Sequence, residues 1–289
     1  MLESLRLFQP TTVSDASAVL DELGESAKIY AGGAELLLLM RHGLVRTESL
    51  IDIKKIARLH NLTWDGQALR VGACVTHHTL ENSSLVREHA PSFAYAESQV
   101  ANVRVRNQGT LGGNLCFNDP HSDPGTVLLV HEASVTVGSQ NGERQLSLED
   151  FFLDMYSTAL RPNEIFVEVR IPLLPAGMKS AYLRLHRYQR PTLGVAVAVK
   201  MNGGSIEESR LAVGCVGPRA QRLREIEAKI KGATPGDTEK IIAEQKNYFR
   251  DLLRPVDDLL GSAEYKLYMT CTLLNEALEQ AAKRNDRDQ

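Results

Sequence analysis

Residues 106–114 form a glycine-rich segment that constrains the fold more than any other part of the chain. Their order is Arg-Asn-Gln-Gly-Thr-Leu-Gly-Gly-Asn, so three of the five positions 109–113 are glycine. Glycine lets the backbone turn sharply with no Cβ in the way, and such a turn can direct several N–H groups into one anion-binding concavity. The alternative is a tight loop that only connects two elements, since glycine is the usual turn residue.

A second glycine doublet lies upstream, in the sequence Ala-Gly-Gly-Ala-Glu at residues 31–35. It follows a short strand-like piece and precedes a leucine-rich helix-like piece, and that arrangement places a phosphate well at a helix N-terminus. Neither doublet has the spacing of the G-x-G-x-x-G dinucleotide fingerprint or of the P-loop. Two glycine turns flanked by apolar structure predict a site for a ligand with a diphosphate.

Composition limits the class of protein. A length of 289 residues predicts about two domains, and 43% hydrophobic with 24% charged residues is typical of an ordinary globular chain. The net charge of −3 argues against nucleic acid as a partner. Residues 1–6 lack the pattern of a signal peptide, and no apolar run approaches the length of a membrane span. The sequence therefore predicts a cytoplasmic protein.

The cysteines and the paired histidines give no metal site. Cys74, Cys116, Cys215 and Cys271 are far apart and form no C-x-x-C, which argues against zinc, an iron–sulfur cluster or a disulfide framework. We expect them to be buried small hydrophobes. His77 and His78 are adjacent, so on a helix they would point apart and could not share a metal. No metal ligand and no catalytic residue is assigned.

The pattern along the chain predicts an α+β fold with a boundary near residues 173–177. Before it we expect hairpins around Asp65-Gly66 and Asn141-Gly142, a helix over 91–103 and a strand over 165–172. After it we expect a three-stranded antiparallel sheet over residues 182–188, 194–201 and 209–216, then helices over 220–231, 237–253 and 262–283. Apolar residues recur in the last helix at Leu267, Leu274, Leu278 and Ala281, a face that should pack on the sheet.

The motif R-N-x-G-T-x-G-G-N, followed by D-P-x-x-D and preceded by A-G-G, resembles the FAD-binding subunit of the molybdenum hydroxylases. These proteins are relatives of the xanthine dehydrogenase flavin domain and of the medium subunit of carbon monoxide dehydrogenase. The resemblance covers nearly the whole chain. It implies a two-lobed FAD-binding domain of the vanillyl-alcohol oxidase type at residues 1–175, with lobes at about 1–56 and 57–175, and a C-terminal domain at 176–289.

The resemblance also implies which residues bind FAD, the glycine segments through their backbone N–H groups. Residue by residue, the family's cofactor-binding positions correspond to Ile29, Tyr30, Ala31, Gly32, Gly33, Ala34, Glu35, Leu36, Ala101, Thr110, Leu111, Gly112, Gly113, Asn114, Asp123, Leu160 and Arg184.

Some of these positions have a second interpretation or depart from the family. Asp123 resembles an acidic residue that accepts hydrogen bonds from cofactor hydroxyls, and it could equally be a helix N-cap. Arg184 falls where the family commonly has a lysine near the flavin ring, and it could instead be a solvated strand residue. Ala34 and Glu35 stand where the family often has a hydroxyl or His followed by Asp or Ser. Glu35 would be unfavourable beside a diphosphate unless its side chain points away.

The function implied by the resemblance is electron transfer through non-covalently bound FAD. The iron–sulfur clusters, [2Fe–2S], belong to a small partner subunit and molybdopterin to a large one, with a dimer of heterotrimers as the expected assembly. The external acceptor could be NAD, a quinone or oxygen. Two alternatives remain open at this stage. One is a stand-alone FAD-dependent oxidase or dehydrogenase, and the other is an interaction subunit that has lost FAD.

Overall fold

The computed structural model describes residues 5–186 and 190–283, beginning with a lobe built on a small parallel sheet. The elements of this lobe are β1 (Arg6–Phe8), α1 (Val13–Leu23), β2 (Ala27–Tyr30), α2 (Leu36–Arg41) and β3 (Ser49–Asp52). The sheet order is β1-β3-β2, and β3 is parallel to both neighbours. Parallel strands need a crossover connection, which α2 provides between β2 and β3. The first glycine segment therefore lies at the carboxyl end of β2, the edge at which such sheets bind ligands.

The second lobe is an antiparallel five-stranded sheet with helices inserted between its strands. The elements in order are β4 (Leu62–Trp64), β5 (Ala68–Gly72), α3 (His77–Asn82), α4 (Ser84–His89), α5 (Pro91–Gln99), α6 (Val103–Gln108), α7 (Leu111–Phe117), α8 (Pro124–Val130), β6 (Ser134–Ser139), β7 (Gly142–Ser147), α9 (Leu148–Phe151), β8 (Phe152–Asp154), β9 (Ser157–Thr158) and β10 (Ile165–Pro172). The sheet order is β4-β5-β10-β6-β7, and β8 and β9 form a separate two-stranded sheet.

Both predicted hairpins are confirmed. At the first turn, Asp65 Oδ1 accepts from the N–H groups of Gln67 and Ala68 at 2.9 and 2.8 Å, and Gly66 has φ +92°. At the second turn, Gly142 has φ +110°. Each turn places a glycine where an L side chain would be strained, so the local chemistry alone fixes these two registers.

The predicted helix over 91–103 was too long. It ends at Gln99, and a separate helix, α6, begins at Val103. Between the two, Ala101 has φ +43°, a conformation in which no α-helix can continue. Asn102 then caps α6, since its side-chain oxygen accepts from the N–H groups of Arg104 and Val105.

The C-terminal domain contains β11 (Met178–Leu185), β12 (Leu193–Asn202), β13 (Ser205–Gly214), β14 (Gln221–Arg222), α10 (Arg224–Ile230), α11 (Thr238–Ala243), α12 (Lys246–Leu253) and α13 (Ala263–Lys283). Its antiparallel sheet has four strands in the order β11-β12-β13-β14, not the three that we predicted. Gln221 and Arg222, which we assigned to a helix, form strand β14 because they pair with Val213 and Ala212. The end of the strand predicted over 182–188 lies outside the described residues. In the part of the chain that the model describes, no helix combines the length and apolarity that crossing a membrane requires.

Strand β12 faces a different core on each side. Val195, Val197 and Val199 belong to the core shared with α13, whereas Ala196 and Ala198 belong to the core of the second lobe. This alternation follows from the period of two along a strand. The four apolar residues predicted to line α13 are all buried, which confirms that its face packs on this sheet. The C-terminal sheet is therefore held between α13 and helix α8.

Two arginines of the C-terminal sheet bind the end of α8. Arg222 donates to the carbonyl of Leu129 at 3.2 Å, and Arg210 donates to the carbonyl of Val130 at 3.4 Å. Both also contact the carboxylate of Glu132, at 3.4 and 3.2 Å. The last carbonyls of a helix have no partner within the helix, so these arginines satisfy groups that packing against the sheet would otherwise leave buried and unpaired.

His131, which follows α8, is a buried base at the same contact. Its Nδ1 lies 3.2 Å from the carbonyl of Pro172 and must be the donor, while Nε2 is buried with no partner among the described residues. Burial lowers the pKa of His131 to about 4 from 6.5. A proton on Nε2 would be a buried charge near Arg210.

We predict that His131 makes the fold sensitive to acid. Its contribution to stability is present above pH 6.5 and is lost as the pH falls towards 4, because only the unfolded chain takes up the proton readily. Relative to His131→Gln, the unfolding free energy of the wild type should fall by about 2 kcal/mol between pH 7.5 and 5.0, as measured by urea denaturation. Equal losses in both proteins would contradict the prediction.

Candidate cofactor site

A cavity of about 660 Å³ lies where the two lobes and strand β11 meet. Of the seventeen residues predicted to bind the cofactor, fifteen line it: Ile29, residues 31–36, Ala101, Thr110, residues 112–114, Asp123, Leu160 and Arg184. Its size falls within the range of about 300–1,000 Å³ that is usual for ligand pockets. Residues scattered over more than 150 positions of sequence thus share one surface.

Tyr30 and Leu111 do not line the cavity. The Lys54 ammonium lies 3.5 Å from the centre of the Tyr30 ring, and this ring also packs beside Gly33. Leu111 is fully buried in the core of the second lobe. Both side chains thus contact other parts of the protein rather than the cavity.

The first glycine segment offers unused backbone donors. Gly33 has φ +77°, and the chain turns there from β2 into α2. The N–H groups of Gly32, Gly33, Ala34 and Glu35 donate to no protein acceptor in the described part of the chain. These residues line the cavity, so a ligand with acceptor oxygens would satisfy donors that otherwise depend on water.

The second glycine segment is not the sharp turn that we predicted. Thr110 is the N-cap of α7, and its hydroxyl accepts from the N–H of Gly113 at 3.1 Å. The N–H groups of Leu111 and Gly112 donate to the carbonyls of Val75 and Ala73, at 3.0 and 3.1 Å. The expectation of several free N–H groups was therefore wrong here, because the protein already uses them.

The glycines of the second segment instead allow close approach. A Cβ on Gly112 would lie 2.7 Å from the Cα of Ala73, so this glycine is required for packing. A Cβ on Gly113 would meet only the Thr110 hydroxyl, at 3.0 Å. Gly113 also lines the cavity, so it exposes bare backbone to whatever fills the space.

Backbone contact joins the two segments. A Cβ on Gly32 would overlap the carbonyl oxygen of Gln108 and lie 3.0 Å from the Cα of Gly109. Only glycine at position 32 permits this contact. The free N–H groups of the first segment and the bare backbone of the second are thereby brought to one wall.

Strand β11 of the C-terminal domain contributes buried polar groups that contact Asp123 at the cavity. Asp123 Oδ1 accepts from the hydroxyl of Tyr182 at 2.5 Å and lies 3.4 Å from Arg184 Nε. Arg184 also donates to the carbonyl of Gln99 at 2.5 Å, and only 2% of its side chain is exposed. Asp123 makes no side-chain capping bond to α8. Both alternative interpretations, a helix cap and a solvated strand residue, are therefore wrong.

Burial governs the protonation of this carboxyl group. It raises the pKa of Asp123 to about 6, against the opposing effects of Arg184 and of the Tyr182 hydrogen bond. A carboxylate in this position gains from additional donors, such as the hydroxyl groups of a ligand.

Sequence reasoning missed Arg190, which resolves the question raised by Glu35. Arg190 lines the cavity and lies 2.9 Å from Asp119 and 3.9 Å from Glu35. The Glu35 carboxylate thus faces a cation rather than the backbone donors next to it. No pattern in the sequence indicates this pairing, since the two residues are far apart, Glu35 in the first lobe and Arg190 in the C-terminal domain.

The comparisons with known proteins agree over the whole chain. Residues 3–174 match the family described as the FAD binding domain in molybdopterin dehydrogenase, and residues 182–281 match the CO dehydrogenase flavoprotein C-terminal domain. The chain belongs to this family of FAD-binding dehydrogenase subunits. FAD is therefore its cofactor, and its class is that of the oxidoreductases.

The alignments with named relatives cover nearly the full length of this chain and of each relative. The carbon monoxide dehydrogenase medium chain of Hydrogenophaga pseudoflava is 32% identical over 274 residues, covering 94% of this chain and 95% of that one. The nicotine 6-hydroxylase medium subunit of Paenarthrobacter nicotinovorans is 31% identical over 283 residues, covering 98% and 99%. A solved carbon monoxide dehydrogenase from Hydrogenophaga pseudoflava, lacking the Mo-pyranopterin moiety, superposes with a TM-score of 0.90 at 33% identity, covering 97% and 98%.

The cavity of this family member fits FAD by the chemistry of its own residues. Unsatisfied N–H groups at residues 32–35 suit the diphosphate, the bare backbone of Gly113 permits close approach, and the Asp123 carboxylate suits cofactor hydroxyls. The cysteine thiol that lines this cavity is not suited to covalent attachment of FAD. Cys116 lines the cavity, but burial raises the pKa of this thiol to about 12, so it stays protonated and unreactive.

We predict that substitutions at Gly112 and at Gly113 affect folding and FAD binding differently. Gly113→Ala should fold with a stability within about 1 kcal/mol of the wild type, because its new methyl group faces the cavity, yet it should retain far less FAD. Gly112→Ala should lose about 1–3 kcal/mol by overpacking against Ala73. Urea denaturation and the flavin-to-protein ratio after purification measure both effects. A Gly113→Ala protein fully loaded with flavin would show that the cofactor does not approach this backbone.

Proposed function

We propose that this chain receives electrons from [2Fe–2S] clusters on a small partner subunit and passes them to an external acceptor. A large molybdopterin subunit hydroxylates the substrate, and the complex is a dimer of heterotrimers in the cytoplasm. The support comes from relatives named as medium chains and medium subunits of dehydrogenases and hydroxylases, and from four cysteines too far apart in sequence to form a cluster motif. The large subunit selects the substrate.

One observation carries the proposal: Gly32 packs on Gln108 and Gly109, so that two glycine segments form a single wall of a cavity large enough for a cofactor. Bound FAD supplies the redox chemistry, accepting electrons singly and delivering them as a pair. The residues of this chain bind, orient and position the cofactor. It binds the diphosphate at residues 32–35 and 113, orients the cofactor hydroxyls at Asp123, and positions the ring near Ala101, Leu160 and Arg184.

Arg184 is the charged group with the clearest electrostatic role in this proposal. Its guanidinium is nearly inaccessible to solvent and is held by Gln99 and Asp123, so its orientation is fixed. A fixed cation in a poorly solvated site stabilises negative charge on a neighbouring group more strongly than a solvated one does.

We place the two domains that share this site at residues 1–175 and 176–289.

We predict that FAD is bound without a covalent bond. Burial raises the pKa of the Cys116 thiol, which disfavours the thiolate that would attack the flavin, and the sequence has no convincing histidine or cysteine attachment motif. Trichloroacetic acid should therefore precipitate a colourless protein and leave all of the FAD in the supernatant. Yellow precipitated protein would contradict this prediction.

We also predict stable association with two different subunits. Purification of the native protein through a tag on this chain should recover an iron–sulfur protein and a molybdopterin protein in equal amounts. Analytical ultracentrifugation should give the mass of two copies of each. A native homo-oligomer of this chain alone, with full dehydrogenase activity, would exclude the proposed function in favour of a stand-alone flavin enzyme.

A further inference from the structure

The buried pair of His77, which lines the cavity, and Glu97 has no role assigned to it so far. His77 begins α3 and Glu97 lies in α5, and they are 2% and 0% exposed. His77 Nδ1 lies 2.5 Å from Glu97 Oε2, while Glu97 Oε1 has no hydrogen-bond partner in the described ranges. A carboxylate buried in this way needs a cation or several donors.

His77 is the basic side chain that contacts Glu97 in the described part of the chain, and the carboxylate in turn fixes the orientation of the imidazole ring. Arg106 lies 3.0 Å from Glu81 and donates to a backbone carbonyl. Arg184 donates to the carbonyl of Gln99 and lies beside Asp123.

The ring is anchored at the junction of the two glycine segments. The N–H of His77 donates to the carbonyl of Gly109 at 3.1 Å. A Cβ on Gly109 would lie 3.1 Å from His77 Cδ2 and 3.5 Å from Nε2, so this edge of the ring packs against the glycine. Gly109 is also the residue against which Gly32 packs. His77 lines the cavity, and because Nδ1 faces Glu97, Nε2 is the nitrogen left for a ligand.

The charges of the cavity wall explain why a diphosphate needs such a donor. Four carboxylates line the cavity, those of Glu35, Asp119, Asp123 and Glu164. The lining arginines are already engaged, Arg190 with Asp119 and Arg184 with Asp123. A diphosphate adds two negative charges to this wall, so its binding depends on backbone donors, on the lining cation Lys28 and on further side-chain donors.

We propose that His77, held through Nδ1 by Glu97, is a direct ligand of the FAD diphosphate and donates to it from Nε2. The inference rests on FAD binding in this cavity. A phosphate oxygen can only accept a hydrogen bond, so Nε2 carries a proton when it contacts the diphosphate. The hydrogen bond between Nδ1 and Glu97 holds the ring in place for that contact. The pair thus supplies an oriented side-chain donor.

The test uses ligands that separate the diphosphate from the flavin ring. ADP carries the diphosphate without the ring, and riboflavin carries the ring without phosphate. Each is titrated calorimetrically into the full-length, flavin-free chain. His77→Gln should weaken the binding of both ADP and FAD by about ten- to a hundredfold, the loss typical of a hydrogen bond to a charged group, and should leave riboflavin binding unchanged.

His78 offers a matched control. It is the next residue, it also pairs with a carboxylate, Glu81 at 2.9 Å, and 46% of its side chain is exposed. His78→Gln should bind all three ligands as the wild type does. The double variant His77→Gln/Glu97→Gln leaves no unpaired buried charge, so it keeps the fold testable, and it should bind ADP no more weakly than His77→Gln alone.

Three results would overturn the inference. A folded double variant that binds ADP with wild-type affinity would give the pair a purely structural role. A loss for riboflavin with ADP unaffected would place His77 beside the ring. A wild-type chain that binds neither FAD nor ADP would remove the cofactor site itself, and with it this proposal.

Discussion

The whole site depends on backbone contact between Gly32 and the residue pair Gln108 and Gly109. This contact brings the segment after a parallel strand in one lobe against the C-terminal end of helix α6 in the other, with no side chain between them. Free donors from the first segment and bare backbone from the second then border one cavity. A Cβ at position 32 would push the two lobes apart, so the fold as well as the cofactor requires glycine at this position.

The C-terminal domain is part of the same site because of how its sheet packs. Alanines on one face of β12 let α8 lie close, and two arginines of the sheet bind the last carbonyls of that helix. The docking sets the position of Asp123 just before α8 relative to Tyr182 and Arg184 on β11. Cofactor binding and the association of the two domains therefore share residues, and loss of one should weaken the other.

Much of the local structure could be predicted from the sequence. The hairpins at Gly66 and Gly142, the strand Ile165–Pro172 and the buried face of α13 follow from turn chemistry and periodicity over a few residues. The resemblance carried by the two glycine motifs gave the family and the cofactor, which the comparisons confirmed. Errors occurred where the conformation depends on distant residues. Ala101 breaks a helix at a positive φ that its side chain does not favour, and Gln221 and Arg222 extend a sheet within a predicted helix.

By itself, the sequence determined the α+β class, the two glycine segments and the residue types available for a diphosphate. Only the tertiary structure decided which groups remain available for a ligand. It shows that the N–H groups of Leu111 and Gly112 are used by Val75 and Ala73, and that Glu35 faces Arg190. It also brings His77 to Glu97. The reason is physical: turns and helix caps arise from neighbours in the chain, whereas the burial and pairing of a charge depend on residues that only folding brings within a few ångströms.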